Sequence, residues 1–143
     1  MEGTCNCGAV KVNVNDSELF SKRRGHICHC QNCRKTAGSA YGSNLLVETE
    51  KVTITGEDNL SVYKDFNTLS GNPVSRYFCK TCGNPIKSMT DLYAGKSILK
   101  LGIFPQIPHP EWESFALKRQ EWLVPMEGCA QYKIKSLGEK MDD

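Results

Sequence analysis

Seven of the eight cysteines in this chain fall into three tight groups: Cys5-Asn6-Cys7, Cys28-His29-Cys30-Gln31-Asn32-Cys33 and Cys79-Lys80-Thr81-Cys82. Cys129 stands alone. Thiolates spaced as CxC or CxxC can grip one soft cation at a zinc–sulfur distance of about 2.3 Å. The two doublets together supply four thiolates, Cys5, Cys7, Cys79 and Cys82, which close a tetrahedral structural site. The triplet Cys28, Cys30 and Cys33 leaves one position of a second zinc open, as a catalytic metal requires. A competing pairing joins Cys30 and Cys33 to Cys79 and Cys82 in one zinc ribbon, but it leaves Cys5, Cys7 and Cys28 without a role.

An even cysteine count also suits a disulfide framework. Close doublets bridge poorly to each other, however, and the N-terminus lacks the charged start, apolar run and cleavage site of an exported chain. The expectation is reduced thiols in the cytoplasm, with the nucleus as an additional location. A chain of 143 residues, 39% of them hydrophobic, suits one core supplemented by metal. We read a single zinc domain over residues 1–135 and a polar tail over 136–143 that frays. No apolar stretch approaches the ~20 residues that span a bilayer. The net charge of +2 offers no basic face for nucleic acid, and Lys22-Arg23-Arg24 and Arg34-Lys35 read as small solvated clusters. Neither membrane nor nucleic acid is an expected partner, and a homodimer is compatible with the sequence.

Period-two patterns dominate and predict a mainly β fold. Val10, Val12 and Val14 alternate with polar residues directly after the first doublet. Short β-rich runs recur at 45–47, 52–55, 60–63, 74–78, 86–89 and 98–101, separated by turn signals such as Gly56-Glu57-Asp58-Asn59 and Ser70-Gly71-Asn72-Pro73. One short helix is predicted from Gln31 to Ala37, ended by Gly38-Ser39. Residues 111–123 remain open between helix and strand, because Trp112, Phe115, Ala116 and Arg119 have helical spacing while flanking prolines cut the window short.

The open site has its own chemistry. Three thiolates on zinc leave a net charge of about −1, so that metal is a poorer Lewis acid than one held by neutral imidazoles. It suits capture of a fourth sulfur, and so carbon–sulfur chemistry on a thiol, better than it suits making hydroxide. If the thiol is an anionic peptide such as glutathione, its carboxylates need cationic donors, and Arg23, Arg24, Arg34, Lys35 and Arg76 lie near the cysteines in sequence. Arg34 and Lys35, directly after the triplet, are the candidate substrate-binding pair.

The pattern Cys5-x-Cys7-Gly8, Cys28-His29-Cys30-x-x-Cys33-Arg34-Lys35 with Gly38-Ser39, Phe78-Cys79-x-x-Cys82-Gly83 and a late Arg119-x-x-Trp122 resembles the glutathione-dependent formaldehyde-activating enzyme family, which also includes centromere protein V. The stretch Ser70-Gly71-Asn72-Pro73-Val74 leans toward its fungal members. The resemblance implies an Mss4-like β fold, structural zinc on Cys5, Cys7, Cys79 and Cys82, and a second zinc on Cys28, Cys30 and Cys33. It also implies the carbon–sulfur lyase activity that joins formaldehyde to glutathione as S-hydroxymethylglutathione. One departure bears on the substrate: many members carry an acidic pair after the glycine matching Gly102, where this chain continues Ile103-Phe104-Pro105-Gln106.

Three functional readings follow. The first is a zinc-dependent lyase or thiol adduct-forming enzyme with Cys28, Cys30 and Cys33 as its catalytic metal ligands. The second is a thiol-binding module without turnover. The third is a structural interaction domain, for which the chain lacks a long basic or Pro-rich extension. Among the remaining candidates, strand-like spacing points His29 away from Cys28 and Cys30. His26 is read in the same way, and His109 as a loop residue. Trp112, Phe115 and Trp122 are read as core or pocket wall, and Cys129 as a free thiol.

Overall fold

The computed structural model describes residues 1–142. In chain order the described residues form β1 (Glu2–Thr4), β2 (Lys11–Val14), β3 (Gly25–Cys28), α1 (Gln31–Ala37), β4 (Gly42–Glu48), β5 (Val52–Thr55), β6 (Leu60–Asp65), β7 (Val74–Cys79), β8 (Pro85–Met89), β9 (Lys96–Lys100), β10 (Pro110–Ser114) and β11 (Ala130–Gln131), joined by turns and short 3-10 segments. The fold is mainly β with one short helix, as the alternating pattern predicts. No described helix is long and apolar enough to cross a membrane.

Two sheets share the core. β1, β2 and β5 form a three-stranded antiparallel sheet. The remaining strands form an eight-stranded sheet in the order β11-β10-β3-β4-β9-β8-β7-β6. Its β10 pairs run parallel to β3 and β11, and its other pairs are antiparallel. The alternating valines explain how the sheets meet. Val10, Val12 and Val14 are buried together with Leu45, Val47 and Leu99 of the larger sheet. Because successive strand residues face opposite sides, burying Leu45 and Leu99 sends Asn44, Ile98 and Lys100 to the other face. That face carries the site.

Two segments depart from the sequence reading. β3 is buried along its whole length between β4 and β10, so Gly-His-Ile-Cys carries no alternation to betray it. Residues 111–123 begin as β10 and then turn: Phe115 takes φ 54 and a 3-10 turn follows at Ala116–Lys118. The predicted frayed tail folds back instead, through a bridge between Tyr132 and Lys140 and a bond from Met141 N–H to the Gln131 carbonyl.

Gly56, between β5 and β6, has φ 84, and a Cβ there would lie 2.1 Å from the carbonyl oxygen of Ala9. Ala9 belongs to the turn that carries Cys5 and Cys7, so this contact couples the first doublet to the body of the fold. Gly56→Ala should lower stability by about 2 kcal/mol or more in urea unfolding. A loss below about 0.5 kcal/mol would contradict the tight approach.

Candidate metal and substrate site

Two turns bring the doublets together. After β1, the chain turns through Cys5 and Cys7, closed by Gly8 N–H to the Cys5 carbonyl and Cys5 N–H to the Val10 carbonyl, each at 3.0 Å. At the end of β7, Gly83 takes φ 74 and donates its N–H to the Cys79 carbonyl at 2.8 Å, the turn expected of Cys79-x-x-Cys82-Gly83. The Sγ atoms of Cys5, Cys7, Cys79 and Cys82 all lie within 4.8 Å of one another. Cys7 Sγ is 3.6 Å from both Cys5 Sγ and Cys79 Sγ. Sulfurs on a tetrahedral zinc with bonds of ~2.3 Å stand about 3.8 Å apart, so this group fits the metal. Val10 N–H donates to Cys5 Sγ at 3.3 Å and Asn59 Nδ2 to Cys79 Sγ at 3.2 Å. The backbone N–H of Cys82 leads the contacts that pull Cys79 down to about 6. Such donors favour the thiolate form that binds metal. The competing zinc ribbon is overturned, because Cys79 and Cys82 meet Cys5 and Cys7 rather than Cys30 and Cys33.

The triplet is built at the junction of β3 and α1. Cys28 ends the strand, Cys30 is the N-cap of the helix, and Cys33 lies in its first turn. Cys30 Sγ accepts the N–H of Cys33 at 3.3 Å, so one atom both caps the helix and faces the metal position. Gly38, at φ 63, ends α1 as predicted. Cys28 and Cys30 sulfurs are 3.4 Å apart, and all three sulfurs lie within 4.8 Å. Proton sharing led by Cys28 holds Cys33 well below the ordinary thiol range, and Lys100 and Arg76 add to the effect. The donor set is three soft sulfurs with a cavity beside them, which suits zinc with an open position.

His29 points away from the triplet, as strand spacing predicts, and is buried. Its Nε2 meets Glu113 Oε1 at 2.6 Å. Glu113 Oε2 accepts Met126 N–H at 2.8 Å and further bonds from Gln131 and Arg119. Burial alone would raise Glu113, but the bond with His29 and those from Met126 and Gln131 hold it below the ordinary carboxylate range. The backbone between Cys28 and Cys30 is thereby tied to β10 and to the segment after it, with His29 N–H also bonded to the Ser114 carbonyl at 3.1 Å.

A cavity of about 390 Å³ opens beside Cys28, Cys30 and Cys33. Five cations line it, Arg34, Arg76, Lys100, Lys118 and Lys135, and no carboxylate does among the described residues. Arg76 is paired with Asp65 at 2.8 Å. Lys100 donates to Asn44 Oδ1 at 3.0 Å, and burial pushes its pKa down while the charge of Cys33 opposes that shift. Of the candidate binding pair, Arg34 reaches the cavity and leaves its Nε without a protein partner, whereas Lys35 is exposed and outside the lining. Arg24 is held by Asp16 at 2.6 Å, and Arg23 by the Pro110 carbonyl.

Several cavity-lining positions were misread in the sequence or escaped it. His26, two residues before Cys28 on β3, lines the cavity and stacks on Trp112 at 4.9 Å. The i, i+2 spacing from Cys28 was the available signal. Lys135 and Ser136 reach the cavity from the folded-back tail, for which local sequence holds no signal. Phe115 is a cavity wall, but Trp122 is 70% exposed, which corrects its reading as core. Cys129 is a half-buried free thiol that donates to the Pro110 carbonyl. At the departure after Gly102, Phe104 is buried in the core and Pro105 and Gln106 border a surface hollow beside Met1 and Asp16. None of the three lines the triplet's cavity.

Because metal binding at four converging thiols is coupled to folding, Cys79→Ser should cost several kcal/mol and lower the melting temperature, with loss of the more tightly held of two zinc ions. Unchanged thermal stability and zinc content would contradict the four-cysteine site.

Comparison with known proteins agrees with this geometry. The family model described as "Glutathione-dependent formaldehyde-activating enzyme" matches residues 1–118. A Halomonas elongata protein named "Putative glutathione-dependent formaldehyde-activating enzyme" is 32% identical over 87 residues, which is 60% of this chain and 54% of that protein. The matched region thus spans about half the length of that relative. A crystal structure of a Rhodobacter sphaeroides protein shares the fold with a TM-score of 0.56 at 22% identity, covering 75% of this chain and 90% of that one. These matches do not support the narrower leaning toward fungal members or centromere protein V. With the family pattern running from the first doublet past the second, this chain belongs to the glutathione-dependent formaldehyde-activating enzyme family.

Proposed function

We propose that the protein is a zinc-dependent carbon–sulfur lyase or thiol adduct-forming enzyme acting on an anionic thiol such as glutathione. The observation that carries this reading is the opening of the three-cysteine group onto a cavity lined by five cations and no carboxylate among the described residues. When bound at the triplet, zinc supplies a Lewis-acidic position that favours a thiol's deprotonated form near neutral pH.

The chain's own residues do the rest. Cys28, Cys30 and Cys33 would hold the metal at the cavity wall, and the His29–Glu113 contact keeps the backbone between them in place. The Arg34 guanidinium, without a protein partner at Nε, is matched to a substrate carboxylate. Lys118 and Lys135 line the same cavity and offer further anion contacts. In the forward reaction the thiol sulfur bonds to the carbonyl carbon, the carbon–oxygen π pair moves to oxygen, and the thiol proton ends there. The lyase direction reverses each step. Reduced thiols at both groups suit the cytoplasm.

The adduct also forms unaided, so the test is acceleration at equilibrium, measured by exchange NMR with glutathione and formaldehyde. Cys30→Ser should return exchange to the uncatalysed rate while the protein stays folded, because the four-cysteine group is untouched. A folded Cys30→Ser protein with wild-type exchange would sink the catalytic assignment. Thiol binding without accelerated exchange would instead make the wild-type protein a carrier. Arg34→Ala should weaken glutathione about tenfold and 2-mercaptoethanol less than about twofold. Equal weakening of the two thiols would remove the carboxylate role of Arg34.

A further inference from the structure

We propose that the cavity takes a thiol conjugate whose S-substituent is a bulky apolar group, so that the electrophile joined to the thiol is an apolar aldehyde larger than a one-carbon unit. This inference rests on the anionic-thiol reading above and goes beyond it in naming the second half of the substrate.

The cavity wall is divided by chemistry. Arg34, Lys100, Lys118 and Lys135 offer charge for carboxylates. Val74, Leu92, Ile98 and Leu69 line the same cavity from β7, from the 3-10 turn between β8 and β9, from β9, and from the loop between β6 and β7, respectively. Strand pairing sets Ile98 and Val74 on one stretch of the sheet: Ile98 stands beside Ser88, and Ser88 beside Arg76, two residues from Val74 on β7. Phe115 adds a further apolar wall next to Ser114. A peptide thiol is mostly amide and carboxylate, and its polar groups gain nothing from these side chains. A hydroxymethyl group adds one carbon and a hydroxyl, too little to cover five apolar residues.

The apolar surface also continues outward. Leu69 lines the cavity yet is 61% exposed, and Phe66, three residues earlier on the same loop, is 77% exposed. That loop is tied to the triplet's helix, since Asn32 Nδ2 donates to the Asn67 carbonyl at 2.6 Å. An extended apolar substituent entering beside the triplet therefore meets Val74 and Ile98 inside and Leu69 at the rim. Burial of such a group removes apolar surface from water on both partners, which favours binding. The family's acidic pair does not bear on this, because the corresponding residues lie outside the cavity.

The chemistry with such a partner is balanced. The thiol sulfur forms a bond to the aldehyde carbon, the π pair passes to oxygen, and the thiol proton ends on that oxygen as the hydroxyl of a hemithioacetal. No oxidant or reductant enters.

The test is calorimetric titration of the zinc-loaded protein with glutathione, S-methylglutathione and S-hexylglutathione. Each buried methylene strengthens binding roughly fourfold, so S-hexylglutathione should bind at least about tenfold tighter than S-methylglutathione. Ile98→Thr and Val74→Thr, which keep β-branched residues in their strands, should each cut that ratio severalfold and change S-methylglutathione binding less than about twofold. Equal or weaker binding of the hexyl derivative, with glutathione and the methyl derivative bound, would overturn the apolar assignment and leave the anionic-thiol reading standing. A tenfold preference that survives both substitutions would also overturn it, because the alkyl chain would lie elsewhere. Binding of none of the three would overturn both.

Discussion

The convergence of four thiols from two distant turns is the constraint on which the rest of this structure depends. Cys7 and Cys79 are 72 residues apart and their sulfurs stand 3.6 Å from each other. One turn leads from the three-stranded sheet and the other from the eight-stranded sheet, so a metal there would join the two sheets, while Val10, Val12 and Val14 join them through the core. A chain of this size buries a modest core. A metal bound there, coupled to folding, would supply a second, local source of order at the point where long-range closure costs most.

The second group of thiols has a different kind of support. Its three sulfurs are local in sequence, but their geometry is set both by the adjacent helix and by elements from the far end of the chain. α1 contributes the capping contact between Cys30 and Cys33. β10 contributes Glu113, whose bonds to His29, Met126, Gln131 and Arg119 run behind the triplet. Residues beyond the family match at 118 thus reach both the back of the metal group, through Arg119, Met126 and Gln131, and the front of the cavity, through Lys135 and Ser136.

What was legible in the sequence follows from period and spacing. The cysteine groups gave their own partition, and the valine alternation at 10–14 located β2. The Gln31–Ala37 helix was readable from its stop at Gly38. β3 was hidden because a strand buried on both faces shows no alternation. The segment after Pro110 was ambiguous because Trp112, Phe115 and Arg119 share a helical spacing that β10 and the following turn override. Charges in the cavity were harder still. Arg34 was legible as a neighbour of the triplet, whereas Lys100, Lys118 and Lys135 arrive through sheet pairing and chain reversal, which no local pattern encodes. Lys35 shows the converse: adjacency in sequence placed it beside the triplet, and the turn of the helix carries it outward.

The central claim is that seven cysteines make one closed and one open zinc site. Zinc X-ray absorption of the doubly loaded protein, before and after adding glutathione, tests it most directly. Seven cysteines shared by two ions give an average of about 3.5 sulfurs per zinc, which should rise to about 4 when the thiol is added. An average that stays unchanged with saturating glutathione, or that already stands at 4 without it, would contradict the open site.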